Sequence, residues 1–168
     1  MENELYSGKF NLITREGYEA MLAELRNFFD VERPKIVTEV TIAAAHGDRS
    51  ENAEYIYGKK KLREIDRRMN FLKRRLDFAK VLDIQVLAED GKIYFGSKVT
   101  ICDAKNMQKT YLIVGEDEAD INVGKISWKS PLGRALLFKK ENDTVVFQTP
   151  ADEEREVTVV AILGHPIP

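Results

Sequence analysis

Asp48 and Glu51 stand three residues apart in the polar run Ala45-His46-Gly47-Asp48-Arg49-Ser50-Glu51-Asn52-Ala53-Glu54-Tyr55. Two carboxylates so close suit one of two jobs. An Asp-x-x-Glu pair ahead of a helix forms a capping box, in which each acid satisfies free N–H groups of the first turn and suits the helix dipole. From spacing alone this is the stronger reading. The second job is to hold a divalent cation. Mg²⁺ takes oxygen ligands and needs only one or two protein carboxylates, with water and phosphate completing its shell. Two acids on an exposed loop make no tight metal site alone, so this chemistry requires a partner that brings the remaining ligands.

Helices must position that loop. From Tyr55 onward apolar residues recur every seven positions, with Tyr55, Leu62, Met69 and Leu76 on one line and Gly58, Ile65, Leu72 and Ala79 on the other. This is the seam of a coiled coil. Before the loop, Tyr18, Leu22, Leu25, Phe29, Ile36, Val40 and Ala43 follow a looser version, with Glu32 as a polar gap. Thr14 is the expected N-cap, with Glu16 in the first turn. Pro34 predicts a kink or short break near Glu32 to Lys35. Two such helices bury their seams most simply on each other, as an antiparallel hairpin with Asp48 and Glu51 at its tip. Helices of this span are on the order of 40 to 50 Å long.

After Leu82 the period shortens. Runs rich in β-branched and aromatic residues, Val81 to Leu87, Ile93 to Ile101, Thr110 to Val114, Lys125 to Trp128, Thr144 to Gln148 and Val157 to Ile162, predict strands. A short helix, Leu132 to Lys139, follows Ser130-Pro131. The chain therefore reads as α+β: a tail over 1–13, a helical hairpin over 14–82 and a sheet domain over 83–168.

The net charge of −2 hides an asymmetry. Residues 14 to 80 hold fifteen Lys/Arg against twelve Asp/Glu, and residues 81 to 168 hold ten against fourteen. Between Gly58 and Arg75 nine basic residues oppose only Glu64 and Asp66. Such a stripe is either a solvated flank with intrahelical pairs such as Glu64 to Arg68 or a surface for phosphates. Cys102 is the only cysteine, which excludes an intramolecular disulfide, and with two histidines it leaves no Cys/His zinc site. With no apolar run of eighteen residues and no basic-then-apolar leader pattern at the start, the expectation is a cytosolic protein that does not enter a membrane.

The tip GDRSENAEY with the following KKKLREIDRR resembles the Gre-type bacterial transcript cleavage factors, in their GreB branch. Supporting segments are TREGYE at Thr14 to Glu19, ERP at Glu32 to Pro34, SPLGRALL at Ser130 to Leu137 and Thr149-Pro150. The likeness runs in order from Thr14 to Ile162. It implies that the hairpin enters the secondary channel of RNA polymerase, while an FKBP-like C-terminal domain with an antiparallel sheet grips the channel rim. By the same resemblance Asp48 and Glu51 are the catalytic pair. They help hold a second Mg²⁺, shared with the polymerase, for hydrolysis near the 3′ end of backtracked RNA. The chain itself is then not an enzyme but a stimulator of the polymerase's own nuclease activity, and is expected as a monomer.

Further roles follow for the neighbours. Arg49, Ser50, Asn52 and Tyr55 support the tip: Arg49 steadies a phosphate, Ser50 and Asn52 cap the helix or bind water, and Tyr55 closes the end of the seam. Lys59, Lys60, Arg63 and Arg67 are the candidate RNA contacts, with Arg74 on the same face. Ser130 and Pro131 belong to the polymerase-binding face. The family often has an acid before that serine, whereas this chain has Lys129, and His46 replaces an apolar residue. Competing readings are a channel-binding inhibitor on the same scaffold, a peptidyl-prolyl isomerase suggested by the FKBP-like domain, and a plain coiled-coil adaptor.

Overall fold

The computed structural model describes residues 5–45, 52–82 and 90–163. The chain divides into two compact units, one of Tyr18–Ala79 and one that joins Met1–Gly17 to Lys80–Pro168. The expected division at 14 and 83 is therefore shifted, because described residues ahead of Tyr18 fold with the C-terminal part of the chain. Tyr6 packs edge-on against Trp128 and Phe138, with ring centroids 5.5 and 5.2 Å apart. Leu12 and Ile13 are fully buried. The expected tail is thus in part a structural layer, held by apolar burial that sequence position alone does not reveal.

The helical unit contains most of α1 (Arg15–Asn27), a widened turn over Phe28–Glu32, α2 (Arg33–Ala45) and α3 (Ala53–Asp77). Arg33 Nε meets Asp66 Oδ1 at 2.8 Å, a β-carbon on Gly58 would meet Val40, and Asn52 reaches Ala43. Partners thus fall in number as the first arm of the hairpin rises, which makes it antiparallel. At about 1.5 Å per residue α3 is about 37 Å long. Gly58, Ile65, Met69 and Leu72 are its buried positions. Ile36, Ile65 and Met69 form a small core, with Leu25, Phe28, Val40 and Leu62 packed on it. Each fully buried aliphatic side chain stabilises by about 1.5–3 kcal/mol.

The disturbance expected at Glu32 to Lys35 lies one turn earlier. Arg33 donates its N–H to Phe28 O, five residues back, so the chain takes up one extra residue in a π turn. This widened turn accommodates the Pro34 ring and lets the helix continue in α2. It also shifts the seam. The expected member Phe29 is 62% exposed, and Phe28 packs inward in its place. Arg68, expected to pair along its own helix with Glu64, instead makes two bonds of 2.7 and 2.9 Å to Glu24 across the hairpin. The parallel geometry of guanidinium and carboxylate favours that choice.

In the other unit β1 (Asn11–Thr14) pairs with β2 (Ala79–Leu82). A second sheet comprises β3 (Lys98–Asp103), β4 (Gln108–Val114), β5 (Lys125–Ser127), β6 (Thr144–Gln148) and β7 (Glu154–Leu163), in the order β5-β4-β3-β7-β6. Most neighbours run antiparallel, as expected, but β5 runs parallel to β4, so the sheet is mixed. Two short 3₁₀ turns, Glu116–Glu118 and Ile121–Val123, return the chain to lie beside Leu112, so that β5 runs along the second half of β4, which a tight hairpin turn does not do. The expected strand over 93–101 begins only at Lys98, since Tyr94 to Ser97 form a turn with Gly96 at φ 86°. The expected strand beyond Leu82 lies outside the described residues.

Ser130 caps α4 (Pro131–Leu136), accepting from Gly133 N at 3.1 Å, with Pro131 in the first turn. Phe95 and Trp128 belong to the core of this sheet, together with Val99, Ile113, Leu136 and Val159. Thr14 caps α1: its hydroxyl accepts from Gly17 N at 3.0 Å and donates to the Glu118 carboxylate. The same carboxylate accepts from Thr14 N at 3.0 Å and Gly115 N at 3.1 Å. No helix among the described residues is long and apolar enough to cross a membrane.

Candidate functional site at the hairpin tip

The end of the hairpin is built by two helix termini. α2 ends at Ala45 and α3 starts at Ala53, each leaving backbone groups without intrahelical partners. Asn52 serves both. Its backbone is extended (φ −83°, ψ 100°), its Oδ1 accepts from Tyr55 N at 3.1 Å, and its Nδ2 donates to Ala43 O at 2.8 Å. Asn52 is therefore the N-cap of α3.

That assignment bears on the capping job considered for the acids. A capping box built on Asp48 and Glu51 needs Asp48 at the cap and Glu51 in the third helical position. With Asn52 at the cap, both acids precede the helix in sequence, and the Tyr55 N–H is served by Asn52. His46, Gly47, Asp48, Arg49, Ser50 and Glu51 themselves lie outside the described residues. The donor set fits Mg²⁺ in kind, being carboxylate oxygens, and falls short in number, which leaves most of the coordination shell to other molecules. Among the described residues no group of His, Cys, Asp and Glu is placed to hold a metal ion.

Tyr55 is half-buried in the first turn of α3. Beyond it Lys59, Lys60, Arg63 and Arg67 are all exposed. Lys60, Arg63, Arg67 and Arg74 follow at three-, four- and seven-residue spacing, on the face turned away from buried Gly58, Ile65 and Leu72. Arg63 Nε donates to Lys59 O at 3.3 Å, and Arg74 Nε to Asn70 O at 3.4 Å. Among the described residues Lys59, Lys60, Arg63 and Arg67 make no ion pair, whereas Asp66 is taken by Arg33. Among the described residues the outer face of α3 thus carries a line of basic side chains without ion pairs, leading away from the tip.

Sequence reasoning missed the apolar surface at the same end, where Ile42, Ile56 and Tyr57 are exposed. The signal lay in their positions off the seven-residue lines. It also missed Ala43 O as Asn52's second partner, which no local pattern encodes. Ser130 and Pro131 sit in the other unit, where the Ser130 hydroxyl also donates to Ser127 O at 2.6 Å. Next to them Lys129 Nζ pairs with Glu116 at 2.9 Å, so its positive charge has a local acid.

Comparison with known proteins gives the same direction. Residues 11–81 match the family described as transcription elongation factor, N-terminal, and residues 88–163 match transcription elongation factor, GreA/GreB, C-term. The transcription elongation factor GreB of Yersinia pestis is 48% identical over 145 residues, covering 86% of this chain and 84% of that protein. GreB of Pseudomonas aeruginosa is 49% identical over 143 residues, covering 85% and 84%. A protein of Legionella pneumophila (strain Lens) named GreA is 46% identical over 139 residues, covering 82% and 87%. The chain belongs to the GreA/GreB family of transcription elongation factors, in its GreB branch.

Proposed function

We propose that the hairpin enters the secondary channel of RNA polymerase and presents Asp48 and Glu51 to the active centre, where they stimulate cleavage of backtracked RNA. The observation that carries this reading is the cap. Asn52 takes the Tyr55 N–H that a box built on Asp48 and Glu51 would otherwise have to serve, which favours a ligand-holding role for the two acids. Asp48 and Glu51 contribute oxygen ligands to a Mg²⁺ shared with the polymerase and orient a water toward the scissile phosphate. When bound, that ion stabilises charge on the attacking and leaving oxygens of an in-line displacement.

The basic line on α3 gives the extruded RNA a place to lie. Lys59, Lys60, Arg63 and Arg67 face phosphates without reading sequence. Ser130 and Pro131, at the start of α4, take part in gripping the channel rim. The protein acts in the cytoplasm, as a monomer, and supplies no nuclease centre of its own.

An arrested elongation complex with Mg²⁺ and labelled RNA tests this. The wild-type chain shortens the transcript, and Asp48→Asn or Glu51→Gln abolishes shortening while competition for the polymerase persists. Cleavage retained in both variants removes the metal-delivery mechanism. Lost extension without shortening identifies the inhibitor reading instead.

A further inference from the structure

We propose that Asn52 is a positioning residue: its one side-chain amide ties the end of α2 to the start of α3 and thereby sets the span across which the acid-bearing loop is held. This inference rests on the delivery of Asp48 and Glu51 argued above. Its basis is the pair of bonds from a single planar group, Nδ2 to Ala43 O at 2.8 Å and Tyr55 N to Oδ1 at 3.1 Å. Ala43 is among the last four residues of α2, whose carbonyls lack intrahelical partners, and Tyr55 N is among the first four N–H groups of α3. A planar amide, with its donor and its acceptor on separate atoms of one short stem, serves the two at once.

Ordinary caps have no such second bond. A cap role alone is filled equally by Asn, Asp or Ser. The tie to Ala43 adds a covalent-chain consequence: the six residues 46–51 start and finish at two points whose separation is set by a hydrogen bond between partly buried groups. Ala43 itself is 3% exposed and seated in the seam, so the anchor on that side is rigid. Fixing both feet of a short connection lowers the number of arrangements open to it. Catalysis is sensitive to placement, since a misplacement of about 1 Å costs on the order of 100-fold.

Asn52→Ser separates the two roles. Serine keeps a neutral cap acceptor for Tyr55 N but has no amide NH₂ to reach Ala43 O, whereas Asn52→Ala loses both. If the tie matters, Asn52→Ser unfolds at the wild-type temperature by circular dichroism, yet its maximal rate of RNA shortening falls on the order of 10-fold or more. The protein concentration giving half-maximal effect stays the same, and the Mg²⁺ concentration needed for cleavage rises. A second readout is independent of activity. In the wild-type protein alone, the Asn52 side-chain amide protons exchange with water more slowly in NMR spectra than those of exposed Asn70. Full cleavage by Asn52→Ser, with loss only in Asn52→Ala, reduces Asn52 to a cap and overturns the proposal, as does amide exchange as fast as that of Asn70. Cleavage retained by Asp48→Asn and Glu51→Gln overturns the delivery reading beneath it, and the exchange measurement still reports on the tie.

Discussion

Gly58 lies so close to Val40 that a β-carbon added to it would sit 2.5 Å from Val40 Cγ2. The two arms of the hairpin approach here at a position where only glycine fits, one helical turn beyond the tip. Gly58→Ala improves intrinsic helix propensity by about 1 kcal/mol. Against that, Val40 is stiff at χ1 and cannot swing its methyl aside, and overpacking costs about 1–3 kcal/mol. The expected outcome is a net loss of about 1 kcal/mol in the helical unit, regained in part when Val40→Ala is added. Thermal unfolding of the single and double variants measures this, and a Gly58→Ala protein more stable than the parent contradicts the close approach.

Glu118 gathers the N–H and hydroxyl of Thr14 and the N–H of Gly115 on one carboxylate. Thr14 is 7% exposed, so removing the acceptor leaves a nearly buried donor with no water to replace it. Glu118→Ala is expected to cost about 1–3 kcal/mol. Urea denaturation followed by Trp128 fluorescence reads the loss, and an unchanged midpoint shows that water substitutes at this site.

Asp103 accepts from Met107 N and Lys105 N, each at 2.9 Å, in the turn between β3 and β4. The Met107 N–H is the main cause that holds its carboxyl below the usual aspartate value, partial desolvation works the other way, and the Lys105 N–H adds to the lowering. Its folded pKa is therefore below its unfolded one. The sign follows: this stabilisation is fully present above the unfolded pKa and is lost as pH falls through the folded value. Asp103→Asn should show a shallower loss of stability below the ordinary carboxylate range than the parent. Equal acid sensitivity of the two proteins means that the turn does not discriminate between charged and neutral forms.

Arg63 and Arg67 stand exposed on α3 without acidic partners among the described residues. If they lie on phosphates of extruded RNA, Arg63→Ala with Arg67→Ala weakens binding to backtracked complexes while leaving complexes without extruded RNA unaffected. The slope of log affinity against log salt becomes shallower by about 0.7 for each phosphate that the double variant no longer neutralises. Identical slopes for the parent and the double variant assign these arginines to solvent.

Local chemistry made much of this protein legible from residues alone. The seven-residue lines of α3 appear as Gly58, Ile65, Met69 and Leu72 in the seam because helical periodicity is a property of neighbours in sequence. Thr14 and Ser130 cap α1 and α4 for the same reason, each bonding an N–H three residues ahead. The acid pair, its placement between two helices and the basic line on α3 were all readable as types and spacings.

Tertiary structure decided where a choice depended on distant residues. The π turn that moves Phe28 into the seam and Phe29 out of it answers both to Pro34 and to packing against α3, so a count along the first helix lands one residue off. The direction of β5 beside β4, the docking of Tyr6 and Leu12 on the sheet domain, and the choice of Glu24 for Arg68 join residues far apart in the chain. The cap of α3 shows the division most clearly. Asp48 and Asn52 are both good capping residues by type, and Asn52 has the additional pull of Ala43 O, a partner nine residues away that exists only once the helices have folded back on each other.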